Sequence, residues 1–140
     1  MRRAPLLLAL IALTASACGS DEKQIDGVVR EYVSGIGEGD GKQACGVLAG
    51  PYQREVLGPP QYEGGCEDRV EQYSDDFSEE ERRAFEETEI EVKLTGKETA
   101  LVRTKSPSPN EDFVADAAYN MRKFDDGWKI ESNNELEALE

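Results

Sequence analysis

Glu89-Ile90-Glu91-Val92-Lys93-Leu94-Thr95-Gly96-Lys97-Glu98-Thr99-Ala100-Leu101-Val102 is the stretch at which the chain changes its period. Ile90, Val92 and Leu94 alternate with Glu89, Glu91 and Lys93, and that alternation predicts a half-buried strand. Thr95 to Glu98 reads as a turn into a second strand, Thr99 to Thr104. Upstream the spacing is different. Ile25, Val28, Val29, Tyr32, Val33 and Ile36 recur at i, i+3, i+4, i+7, i+8 and i+11, a single apolar stripe on a helix beginning at Lys23. Helices followed by strands put the chain in the α+β class, with N-terminal helices packed on a curved antiparallel sheet.

Downstream of the quoted stretch, Ser106-Pro107-Ser108-Pro109-Asn110 is a loop that cannot join a ladder. Phe113 to Phe124 reads as the longest strand, with Ala115, Ala117, Tyr119 and Met121 on one face and Asp116, Asn120 and Arg122 on the other. Asp125-Asp126-Gly127 is a hairpin signal, and Trp128, Ile130 and Ser132 continue the last strand. Residues 133–140 form an acidic tail.

Back toward the N-terminus, Gly37 and Gly39 close the first helix, and Asp40 caps a shorter one running through Cys45, Val47 and Leu48 to Gly50-Pro51. A helical turn follows at Tyr52 to Leu57, then an irregular loop, Gly58 to Gly65. A third helix starts at Cys66 with Val70, Tyr73 and Phe77 on one side. Ser78-Glu79-Glu80-Glu81 is a capping box. The acidic run from Asp75 to Glu81 lacks the spacing and the glycine of a calcium loop, so it reads as a solvated helix start. No metal site and no cofactor are expected.

Composition narrows the chemistry. The 140 residues carry 30 Asp+Glu against 16 Lys+Arg, a net charge of −14 with no basic block, which argues against nucleic-acid binding. There is no histidine, so Ser-His-Asp and Cys-His catalysis are out. Three cysteines without a C-x-x-C pair exclude a zinc finger.

Arg2-Arg3 precedes an uncharged run from Ala4 to Ala17. At ~1.5 Å per residue this covers about 21 Å, short of a ~30 Å hydrocarbon core, so residues 1–17 read as a signal peptide. The run ends Thr14-Ala15-Ser16-Ala17-Cys18, which resembles a bacterial lipobox with Ala15 in place of the commoner leucine. That resemblance implies cleavage before Cys18, lipid on its thiol, and a tether over residues 18–22. Ordinary cleavage after Ala15-Ser16-Ala17 is the alternative, and it would leave Cys18 a free thiol. Either cut removes both leader arginines and takes the charge to −16. Such a surface is repelled by an anionic leaflet, so only acyl chains would hold it at the membrane, on the extracytoplasmic face. Cys45 and Cys66 then remain as an even pair in an exported chain, where disulfides persist; two separate buried thiols are the other reading.

Taken in order, these elements resemble the nuclear transport factor 2-like superfamily, a cone-shaped α+β fold. The resemblance rests on Tyr32-Val33 with Gly39-Asp40, Ala44-Cys45 and Cys66-Glu67, Glu89 to Val102, and the closing Lys123-Phe124-Asp125-Asp126-Gly127-Trp128-Lys129-Ile130. It covers about residues 23–132. It implies a cavity near Tyr32, Tyr73, Tyr119 and Trp128, each of which ordinary core packing would also explain. The family holds both enzymes and binding domains. Its Asp–His cyclase site fails here for want of histidine. A carboxylate-dependent isomerase or hydrolase, with Asp116 and Arg122 as candidates for the latter, is the alternative to a non-catalytic domain. The leading expectation is a lipid-anchored domain that binds a small apolar ligand or a cell-envelope protein. A homodimer through the sheet face carrying Asp116, Asn120 and Arg122 is a further option.

Overall fold

Helix α1 spans Ala17–Glu38 and buries Ile25, Val29, Tyr32, Val33 and Ile36, with Val28 half-buried beside them. This is the stripe that the spacing predicts. The helix begins before Lys23, so residues 18–22, expected as a tether, are its first turns. The physical reason is tertiary. Asp21 accepts hydrogen bonds from Lys123 Nζ at 2.9 Å and from the Trp128 indole N–H at 3.2 Å, which fastens that end of the helix to the sheet.

The computed structural model describes residues 17–57, 61–107 and 116–134. The expected signal peptide up to residue 16, residues 58–60 and 108–110 of the two loops, the start of the expected long strand at 113–115, and residues 135–140 of the tail lie outside them. Among the described residues, no helix is long and apolar enough to cross a membrane.

Gly39 ends α1. Its φ of +74° is costly for a side chain, and the Asp40 N–H reaches back to the Gly35 carbonyl at 2.8 Å in a Schellman-type closure. Gly37, expected to share that role, lies inside the helix. Asp40 then caps α2, Gly41–Gly46, accepting from the Gln43 N–H at 3.0 Å. Gly50-Pro51, read as a stop, also starts α3, Gly50–Glu55, because proline lacks only a donor that the first turn does not use. Helix α4 covers Cys66–Asp75. Ser78 and Glu81 form the expected capping box on α5, Glu79–Glu86.

A disulfide joins Cys45 to Cys66, tying α2 to α4. At that crossing a Cβ on Gly41 would sit 2.7 Å from Glu67 Cα, so the two backbones are as close as a glycine permits.

Among the described residues, four strands form a simple antiparallel meander in the order β1-β2-β3-β4: Glu89–Leu94, Thr99–Lys105, Ala118–Phe124 and Gly127–Asn134. The α+β class is therefore the observed one. Two boundaries differ from the sequence reading. The third strand begins at Ala118, because Asp116 accepts from the Ser106 N–H and the Ala117 N–H turns to Thr104 Oγ1 instead of a strand partner. Among the described residues the longest strand is β4, and Asn133 and Asn134, assigned to the tail, belong to it.

Within β4 the register jumps. Asn120 pairs with Ser132 but Met121 pairs with Ile130, leaving Glu131 as the extra residue of a bulge. The bulge shifts the alternation, so Asn133 rather than Ser132 shares the core face with Trp128 and Ile130. The outer edge of β4 is bridged by Val47 to Ala49, which exchange backbone hydrogen bonds with Ile130 at 3.0 and 2.8 Å.

Candidate functional site

Four tyrosines from four elements converge on the core side of the sheet. Tyr32 on α1 and Tyr119 on β3 meet edge to face with centroids 5.7 Å apart, and both are almost fully buried. Tyr52 on α3 enters from the side and donates to Asn133 Oδ1 at 2.8 Å. Tyr73 on α4 is half-buried and begins an aromatic row, with Tyr62 at 5.7 Å, Phe77 at 4.7 Å, and Phe85 at 5.0 Å from Phe77.

These hydroxyls sense one another. Burial raises the Tyr32 hydroxyl well above its ordinary range, and the neighbouring Tyr119, Tyr52 and Tyr73 raise it further. Tyr119 is also raised, chiefly by burial and then by Tyr52 and Tyr73. Tyr52 is pushed up to about 12, by burial first and by Glu55 second. All three stay neutral across the physiological range. They can donate and accept hydrogen bonds and offer ring faces, but they supply neither a base nor a nucleophile.

Of the residues singled out in the sequence, Tyr32, Tyr73 and Tyr119 are brought together, and Trp128 is not. Trp128 lies further along the β3–β4 ladder opposite Lys123, its indole held by Asp21, with Lys123 Nζ 5.8 Å from the ring centroid. The Asp21 carboxyl is held below its ordinary range by the hydrogen bonds from Lys123 first and Trp128 second. Cys18 falls in the first turn of α1, and its side chain is outside the described residues.

Asp116 and Arg122 are not a catalytic pair. Asp116 bonds the Ser106 backbone, whereas Arg122 pairs with Glu131 at 2.6 Å on the outer side of the sheet. Asn120 on that side is bonded to Ser132 and Asn134. Asp116 has therefore left the face on which the alternation placed it. Among the described residues no Asp or Glu is buried, and no cluster of three metal-ligating side chains forms.

Two residues of the site region were not singled out in the sequence. Tyr52 stands in a short Pro-started turn, and its inward direction follows from the Val47 to Ala49 bridge that anchors α3 beside β4. Asn133 reaches the core side of the sheet, at an exposed position, only because of the bulge. No periodicity in the sequence marks either one.

No protein-family model matches the chain, and no curated protein matches it. Among solved structures, one from Streptomyces avermitilis resembles it with a TM-score of 0.46 and 18% identity over 82% of this chain and 94% of that one. That protein is described as a member of the nuclear transport factor 2-like family with a provisional dehydratase label.

Proposed function

We propose that this chain is an extracytoplasmic bacterial lipoprotein, anchored through Cys18, whose nuclear transport factor 2-like domain binds a small, mostly apolar ligand without transforming it. The observation that carries the binding reading is the convergence of Tyr32, Tyr52, Tyr73 and Tyr119 from four separate elements. Ligand sites commonly combine apolar walls with a few convergent polar groups. Here those groups are neutral hydroxyls, and every described carboxylate stands outside the buried interior. That chemistry suits a ligand with aromatic or aliphatic surface and one or two oxygens to hydrogen-bond. It does not suit proton abstraction. The anchor reading is supported by the charge-free run ending in Ala15-Ser16-Ala17-Cys18, and the family reading by the order of elements from α1 to the closing hairpin.

The two halves are tested separately. In a bacterial host supplied with labelled palmitate, the chain should carry label and sediment with membranes, and Cys18→Ala should lose both; a label that survives this substitution sinks the anchor. For the ligand, the neutral apolar dye N-phenyl-1-naphthylamine should bind the purified chain saturably. Tyr32→Phe with Tyr119→Phe should change its affinity while leaving the melting temperature within a few degrees. Absence of saturable dye binding refutes the ligand reading.

A further inference from the structure

We propose that the free edge of β1 pairs antiparallel with the same edge of a second copy, about a two-fold axis through Val92, joining two four-stranded sheets into one.

The backbone directions support this. Across the first hairpin the Thr95 N–H donates to the Thr99 carbonyl at 3.0 Å, and on β2 the Thr104 N–H donates to Ala117, away from β1. Strand parity then points the amides of Glu89, Glu91 and Lys93 at β2 and those of Ile90, Val92 and Leu94 outward. Among the described residues no strand pairs with this side of β1. An open cleft lined by Glu22, Lys23, Asp26, Ile90 and Val92 runs beside it, so solvent reaches the edge. The edge of β4, by contrast, is bridged at Ile130.

The side chains select a second copy as the occupant. With the axis at Val92, Glu91 of each copy stands opposite Lys93 of the other, and both ion pairs fall on the outer face. On the core face Ile90 meets Leu94 of the second copy and Val92 meets its own counterpart. Moving the axis to Ile90 sets Glu89 against Glu91, a like-charge pair. Moving it to Leu94 removes the Glu91–Lys93 pairs. An axis on Glu91 sets two Glu91 side chains against each other, and an axis on Lys93 does the same with two lysines, both like-charge pairs. Each of these registers suits the outward amides, so charge decides between them: the Val92 axis alone sets Glu91 against Lys93 without opposing like charges, with about six inter-copy backbone hydrogen bonds.

The experiment is sedimentation equilibrium of the full chain in density-matched nonionic detergent, from about 1 µM to about 1 mM, at about 0.15 M salt. The Debye length of ~8 Å then screens the distant acidic charges but not contact pairs. Wild type should show a reversible dimer. Glu91→Lys and Lys93→Glu should each weaken it about tenfold, and the double exchange should bring it back to within about threefold of wild type. Val92→Pro removes an N–H that the intrachain ladder does not use, so it should abolish the dimer while the chain still melts cooperatively. A monomer throughout the range overturns the proposal. So does a dimer indifferent to these substitutions, which would place the contact elsewhere. A double exchange that folds but fails to reassociate overturns it too.

Discussion

Arg69 is a buried cation that pairs with no carboxylate among the described residues. Its guanidinium donates to the carbonyls of Val56 at 2.9 Å, Gly64 at 2.8 Å and Gln53, which draws the C-terminal end of α3 and the loop before α4 around one side chain. Carbonyl dipoles replace the water that a buried charge would otherwise lose. Arg69→Met should cost about 2–4 kcal/mol in urea denaturation, because three acceptors lose their donor at once. Arg69→Lys should restore less than half of that, since an ammonium cannot reproduce the planar fork. Trp128, the only tryptophan, is a comparable anchor at the other end of the sheet. Trp128→Ala should cost about 3–5 kcal/mol as a core truncation, and a loss below about 1 kcal/mol would mean the ring is not packed. Neither residue's partners follow from spacing in the chain. Trp128 and Asp21 are more than a hundred positions apart, and the three carbonyls around Arg69 belong to backbone that has no period.

Between elements, α2 and α4 cross closely, with Gly41 against Glu67 and the disulfide spanning the same junction. Reducing Cys45–Cys66 should lower stability by roughly 3 kcal/mol on the chain-entropy estimate for its 21-residue separation, read as a drop in the denaturation midpoint with added reductant. An unchanged midpoint, with both thiols then alkylated, would show that the crossing holds without the bond. Most elements were legible because each carries a local rule: the stripe of α1, the Asp40 cap, the Ser78–Glu81 box, the alternation of β1 and the Gly127 turn. The misreadings lie where a tertiary bond outranks the local rule. Asp21 extends α1, Asp116 and Thr104 delay β3, and the Glu131 bulge moves the exposed Asn133 to the core side of the sheet.

At the scale of the molecule, the tyrosine cluster makes an alkaline limit. Tyr32, Tyr52 and Tyr119 all have raised folded-state pKa values, so folding favours their neutral forms. Their contribution is complete below about 10, the ordinary tyrosine value, and is lost as pH rises through the folded values, about 12 for Tyr52. Thermal melts between pH 8 and pH 12 should hold steady up to roughly 10 and then fall steeply. Tyrosinate absorbance should appear together with unfolding. A melting temperature that stays flat to the end of that range would mean these hydroxyls ionise freely in the fold. At the opposite extreme, the Asp21 clamp is lost as pH falls through the lowered value of its carboxyl.

The sequence by itself determined the class of fold, the order of its elements and most of their caps, because periodicity, turn residues and capping act over a few neighbouring positions. It also determined the charge of −14 and the absence of histidine, and with them the chemistry the chain lacks. Only the tertiary structure decided which aromatic residues meet. It separated Trp128 from the tyrosines, added Tyr52 to them and took Asp116 out of the sheet. Those outcomes depend on a bulge, a strand-edge bridge and hydrogen bonds between distant positions. No local pattern encodes them, because their energy exists only once the chain has closed on itself.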